Sequence, residues 1–149
     1  NFFNKNFLGD GGSYLLAFYL AFILISLHNK ILETMSPYFI CNLLWYPAFE
    51  NLFSIIRRLL IKKKRMYADN EHLHHFIFVF LKSKFNIKKN YIASSFTGIL
   101  VNLYLFIGYY IGLNYFFKTD VQILIILTNT IIYLIIYYFL NSKKMTRVV

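Results

Sequence analysis

Three histidines fall within four residues, in the stretch Asp69-Asn70-Glu71-His72-Leu73-His74-His75, a density that seldom arises from packing alone. Imidazole donates hydrogen bonds and changes charge near neutral pH, so the cluster suits a ligand carrying phosphate. Lys62-Lys63-Lys64-Arg65 just upstream adds fixed positive charge. Zinc is a second chemistry for three histidines, but His-x-His-His lacks both the cysteines and the His-Glu-x-x-His spacing of specific zinc sites. An exposed loop with no ligand is a third reading. If the stretch is helical, His72 and His75 stand at i and i+3 and share a face, with His74 pointing elsewhere.

Two further constellations can carry chemistry. Phe7-Leu8-Gly9-Asp10-Gly11-Gly12-Ser13 sets a carboxylate in a glycine-rich turn at the start of an apolar run. Glycines allow backbone N–H groups to approach an anion, and an aspartate can hold a hard cation such as Mg2+. The plain alternative is a loop end with a solvated Asp10. Glu50-Asn51 sits inside a second apolar run, seven residues before Arg57-Arg58. Ionisable groups there are costly and mark function by default, while a Glu50–Arg57 ion pair on one helix face is the structural alternative.

The elements that position these groups are membrane helices. With 58% hydrophobic and only 15% charged residues among 149, the chain is too apolar for an ordinary soluble domain. A net charge of +10 does not indicate nucleic acid, because the cations lie between apolar runs instead of lining a surface. Cys41 is the only cysteine, which excludes an internal disulfide or thiolate site and leaves a packing role. Runs of about 20 apolar residues are needed to cross a bilayer, and four segments qualify: 13–27, 37–60, 91–113 and 121–140. The expected fold is all-α, a single polytopic membrane domain over 1–149.

Lys and Arg collect on one side of these spans. Arg57, Arg58, Lys62, Lys63, Lys64, Arg65, Lys82, Lys84, Lys88 and Lys89 lie between the second and third, and Lys143, Lys144 and Arg147 follow the fourth, against Lys30 and Lys118 opposite. The positive-inside rule therefore makes 61–90 a cytoplasmic basic and histidine loop, with the N-terminal segment and the C-terminal tail on the same side. Residues 28–36 and 114–120 become outer turns. The loop's basic run also serves as a topology signal and attracts anionic lipid. Ser36-Pro37 reads as an N-cap followed by a first-turn proline. Pro47 is expected to kink the second span, with its freed carbonyl satisfied by a neighbour. Gly108-Tyr109-Tyr110-Ile111-Gly112 is a GxxxG motif, suited to close packing within the chain or to a homodimer.

The segment entering the first span, the Arg-Arg and basic stretch, and then Ala68-Asp69-Asn70-Glu71-His72-Leu73-His74-His75 together resemble the polyprenyl-phosphate N-acetylhexosamine-1-phosphate transferases. The His-x-His-His form is most similar to the branch that initiates enterobacterial-antigen and teichoic-acid glycans. The resemblance runs from about Lys5 to about Phe80. It implies an enzyme of the bacterial plasma membrane that moves a sugar 1-phosphate from a UDP-sugar to polyprenyl phosphate and releases UMP, in synthesis of cell-wall or lipopolysaccharide glycans. It implies Mg2+, with Mn2+ as a substitute, on Asp10. His72, His74 and His75, with Arg57 and Arg58, would lie by the phosphates of the nucleotide sugar; no catalytic residue is assigned. The family's aspartate-rich motif has no counterpart here. With the absence of an initial Met, this leads to the expectation that the chain is a C-terminal fragment, inactive alone. The competing expectation is a transporter fragment or membrane anchor that binds lipid or a partner without catalysis.

Overall fold

The computed structural model describes residues 9–30, 35–60 and 71–145. Six α-helices account for almost all of them: α1 Gly9–Lys30, α2 Pro37–Leu43, α3 Trp45–Leu60, α4 Leu73–Lys84, α5 Asn90–Asn114 and α6 Thr119–Met145. No strand occurs among the described residues. Three of these helices, α1, α5 and α6, are long and apolar enough to cross a membrane, and α2 with α3 makes a fourth span if the bent pair is counted as one. The chain is an all-α multi-pass membrane protein.

The second span is broken, not gently kinked. The axis turns by 70° between α2 and α3, at Leu44, three residues before the proline expected to bend it. Pro47 instead occupies the first turn of α3, where a missing N–H removes no bond that the new helix needs. Continuous helix would have sent that N–H to the carbonyl of Leu43, and the hydroxyl of Tyr109 on α5 donates to this carbonyl at 3.1 Å. A neighbouring helix thus supplies the bond that the proline cannot.

Contacts along α6 show how the bent pair travels. At one end the Ser36 N–H bonds the Phe116 carbonyl at 3.0 Å, and its hydroxyl lies 2.9 Å from that of Thr119. Ser36 also caps α2, as its sequence position predicts, by accepting from the Tyr38 N–H. Further along, the Trp45 indole donates to Thr130 at 3.1 Å. Phe49 then meets Tyr133 edge-on at 4.9 Å, and Phe53 meets Tyr137 at 4.8 Å. From Thr119 to Tyr137, α6 rises ~27 Å at 1.5 Å per residue, most of the ~30 Å hydrocarbon core. The bent pair therefore follows α6 from end to end and does not dip and return.

The centre of the fold is aromatic. Trp45, Leu73, Phe76, Leu105, Tyr133, Tyr137 and Leu140 are buried together, and edge-to-face ring pairs of this kind add about 0.5–1.5 kcal/mol each beyond area burial. Above this layer lies a polar one. Gln122, fully buried, accepts from Asn42 at 3.1 Å and donates to the carbonyls of Gly112 and Tyr115 at 2.8 and 2.9 Å. The glycines of the GxxxG motif are what make room for it. A Cβ on Gly112 would lie 2.6 Å from Asn42 Nδ2, and one on Gly108 would lie 3.1 Å from Asn129 Nδ2. Both glycines are covered within the chain, so the packing reading of the motif holds and its faces are not open to a second copy. By contrast α1 is exposed along nearly its whole length, with Leu24 the one buried residue among its described side chains.

Candidate functional site

The 61–90 segment is not a loop throughout. Leu73, Phe76 and Leu81 are buried and recur at near-helical spacing, so this stretch gains enough from packing on α5 and α6 to form α4. Lys82 and Lys84 in its last turn complement the negative end of the helix dipole. The Lys62-Lys63-Lys64-Arg65 run, Asp69 and the Asp10 side chain lie outside the described positions.

His72 stands at the N-cap of α4 in extended conformation, φ −80° and ψ 150°. Its imidazole does not cap its own helix. It reaches α3, where Nδ1 is 3.0 Å from Oε1 of Glu50 and 3.2 Å from the hydroxyl of Ser54. Glu50 Oε1 also accepts from the Leu73 N–H at 2.9 Å. That N–H belongs to the first turn of α4 and has no partner within the helix, so a carboxylate of α3 caps α4 from outside. Negative charge there also favours the positive end of the α4 dipole.

Glu50 is 6% exposed, and its placement corrects the pairing expected along α3. Its carboxylate is taken up by His72 and Leu73, while Arg57, one face further, pairs with Glu71 at the approach to α4. Two acidic groups thus serve three partners across the α3/α4 gap: Glu50 takes His72 and the Leu73 N–H, and Glu71 takes Arg57. Arg58 lies half-buried in the same last turn of α3. The Oε2 atom of Glu50 and the hydroxyls of Tyr46 and Tyr133 are buried together, with both phenols close enough to the Glu50 carboxylate to interact with it. Sequence patterning flagged Glu50 as an ionisable residue within a span; Ser54 and the two tyrosines carry no such signal.

The three histidines divide differently from the i, i+3 expectation. The rings of His72 and His74 stack, 5.4 Å apart and 7° from parallel, whereas His75 stacks on Phe78 at 6.3 Å. The reason is that His72 precedes the helix, so helical spacing does not govern its side chain. Among the described residues no three His, Cys, Asp or Glu side chains converge as metal ligands, and the zinc reading of the cluster is not supported by its geometry. Partial desolvation lowers the pKa of His74 from its ordinary value of 6.5, His72 and His75 add to the effect, and Glu50 opposes it. His74 is thereby kept neutral to lower pH than a free histidine, and acidification through this range works against the folded arrangement. Its ring-proton NMR titration is expected to show a midpoint below 6.5; a midpoint above that value would contradict the desolvation argument.

The histidine pair and the Arg57–Glu71 pair gather where α3 ends and α4 begins. This is the end of the bundle opposite the Ser36 and Phe116 turns, since Phe76 of α4 packs on Tyr137, far along α6 from Thr119. What the arrangement offers is imidazole rings and the guanidinium groups of Arg57 and Arg58 set beside the carboxylates of Glu50 and Glu71 at one end of the bundle.

Comparison with known proteins agrees with this chemistry. Over 71 residues, 48% of the chain, the sequence is 35% identical to undecaprenyl-phosphate α-N-acetylglucosaminyl 1-phosphate transferase of Thermotoga maritima. Over 76 residues, 51% of the chain, it is 32% identical to a probable undecaprenyl-phosphate N-acetylglucosaminyl 1-phosphate transferase of Bacillus subtilis. These stretches cover 23% and 21% of the two relatives, so the chain spans under a quarter of the curated proteins it matches. No family model matches the chain, and no solved structure does. Over about half of its length the chain is thus similar to two proteins named as undecaprenyl-phosphate N-acetylglucosaminyl 1-phosphate transferases.

Proposed function

We propose that this chain is part of a membrane transferase that moves N-acetylhexosamine 1-phosphate from a UDP-sugar to polyprenyl phosphate, releasing UMP. The observation that carries the reading is the convergence of His72, His74 and Arg57 at one end of the bundle, where α3 meets the N-terminus of α4. Transfer between two anionic substrates is governed by charge neutralisation and in-line positioning, to which imidazole donors and guanidinium groups at this end of the bundle contribute. The acceptor's hydrocarbon stays among the spans while its phosphate meets a water-soluble donor at the membrane surface. The basic side of the spans is by this reading the cytoplasmic side of a bacterial plasma membrane.

His72, His74 and His75 would face the phosphates of the nucleotide sugar, with Arg57 and Arg58 adding fixed charge. Asp10, in the first turn of α1, is the residue that would hold Mg2+, and Mn2+ fits the same oxygen donor; the ion, when bound, supplies charge neutralisation at phosphate oxygens. At the entry to α1, Gly9 is left-handed at φ 67°, and Ser13 Oγ donates to the Gly9 carbonyl at 2.9 Å. Membranes containing the product of the complete reading frame are expected to release UMP from UDP-N-acetylhexosamine only when polyprenyl phosphate is supplied. Absence of lipid-dependent release would defeat the proposal and favour a non-catalytic anchor.

A further inference from the structure

We infer that Glu50 is the positioning residue for His72, fixing its ring orientation and holding its proton on Nδ1. The inference deepens the proposed function, resting on it for the role of His72 toward phosphate, but the tautomer itself follows from geometry alone. Glu50 Oε1 already accepts from the Leu73 N–H at 2.9 Å, which identifies it as an acceptor in this arrangement. His72 Nδ1 lies 3.0 Å from the same oxygen. Two lone pairs cannot face each other at that distance, so Nδ1 carries the hydrogen.

The other groups around the ring permit the same assignment. The Ser54 hydroxyl, 3.2 Å from Nδ1, can turn its own hydrogen away and share in accepting. A carboxylate oxygen has lone pairs for both donors, and the 6% exposure of Glu50 keeps water from competing. With Nδ1 protonated, Nε2 is the nitrogen left without hydrogen, and a carboxylate behind an imidazole fixes that tautomer. His72 is thus held with Nε2 as the nitrogen left to meet a ligand, and the Glu50 carboxylate at Nδ1 lies where it would compensate any positive charge on the ring. Glu50 touches no substrate in this scheme. It acts through His72.

The test reads the nitrogen signals of His72 directly. The protein is labelled with 15N-histidine, placed in lipid nanodiscs and examined by NMR at a pH where imidazole is neutral, with His72→Asn identifying the signals. The expected spectrum has protonated Nδ1 and bare Nε2. Glu50→Gln, which keeps an acceptor oxygen, should leave that pattern in place, whereas Glu50→Leu should shift His72 toward the Nε2–H form favoured by free histidine in water. A wild-type ring protonated at Nε2 overturns the inference even if Glu50→Leu fails to fold, and so does an unchanged pattern in a folded Glu50→Leu. Because none of these signals depends on turnover, loss of the transferase reading would leave the tautomer result standing, and a wrong tautomer would leave the transferase reading standing. In the active complete protein, Glu50→Gln should lower kcat by about 10–100-fold with KM for the UDP-sugar little changed, and Glu50→Asp should recover part of the loss.

Discussion

The Gly112→Ala variant is expected to lose about 1–3 kcal/mol of stability, read as a lower thermal midpoint in detergent or nanodiscs. The added methyl would sit 2.6 Å from Asn42 Nδ2 and 3.2 Å from Gln122 Oε1. Side-chain ends often yield cheaply, but these two are fully buried and bonded to each other at 3.1 Å. Moving either breaks that bond or the two that Gln122 donates to backbone carbonyls, and an unmet buried polar group costs about 1–3 kcal/mol. Gly98→Ala is the control, since a Cβ there meets nothing within 4 Å and alanine favours helix by roughly 0.5–1 kcal/mol. If both variants melt alike, the polar layer around Gln122 does not hold α2, α5 and α6 together.

Asp10→Asn is expected to lower kcat of the complete transferase by about 10²–10³-fold, the scale seen when one preorganised electrostatic contact is lost. Asparagine keeps the size and hydrogen-bonding capacity of the side chain and removes the charge that a hard cation requires. Local structure should survive, because the entry to α1 is set by the left-handed Gly9 and the Ser13 bond to its carbonyl, neither of which uses the Asp10 carboxylate. Titration with Mg2+ separates the causes: a weaker ligand set shifts the curve to higher Mg2+. Full activity at ordinary Mg2+ would remove Asp10 as a metal ligand.

Span positions were legible because membrane burial imposes a length and a composition that a sequence displays directly. The 91–113 and 121–140 expectations fall inside α5 and α6. α4 was not legible. It is 12 residues long, lies between basic clusters, and owes its helicity to Leu73, Phe76 and Leu81 finding partners on other elements. The Glu50 pairing was hidden for a related reason: its partners His72 and Leu73 are 22 and 23 residues away, while Arg57 is the nearest cation along its own helix. Local periodicity offers the near partner, and tertiary packing chose the far one. Pro47 shows the reverse case, in which the local rule was correct about the need for a substitute donor but could not name Tyr109.

The break at Leu44 makes α3 a lever. Arg57 lies ~18 Å along the helix from Trp45 at 1.5 Å per residue, so each degree of rotation at the break moves it by ~0.3 Å. Hydrogen bonds hold their geometry only within a few tenths of an ångström. A change of two degrees in the 70° angle would therefore disturb the Arg57–Glu71 contact, whereas Glu50, nearer the pivot at ~7.5 Å, would shift less than half as far. A displacement at the Trp45–Thr130 bond, close to the fulcrum, would thus be magnified at the distal charges.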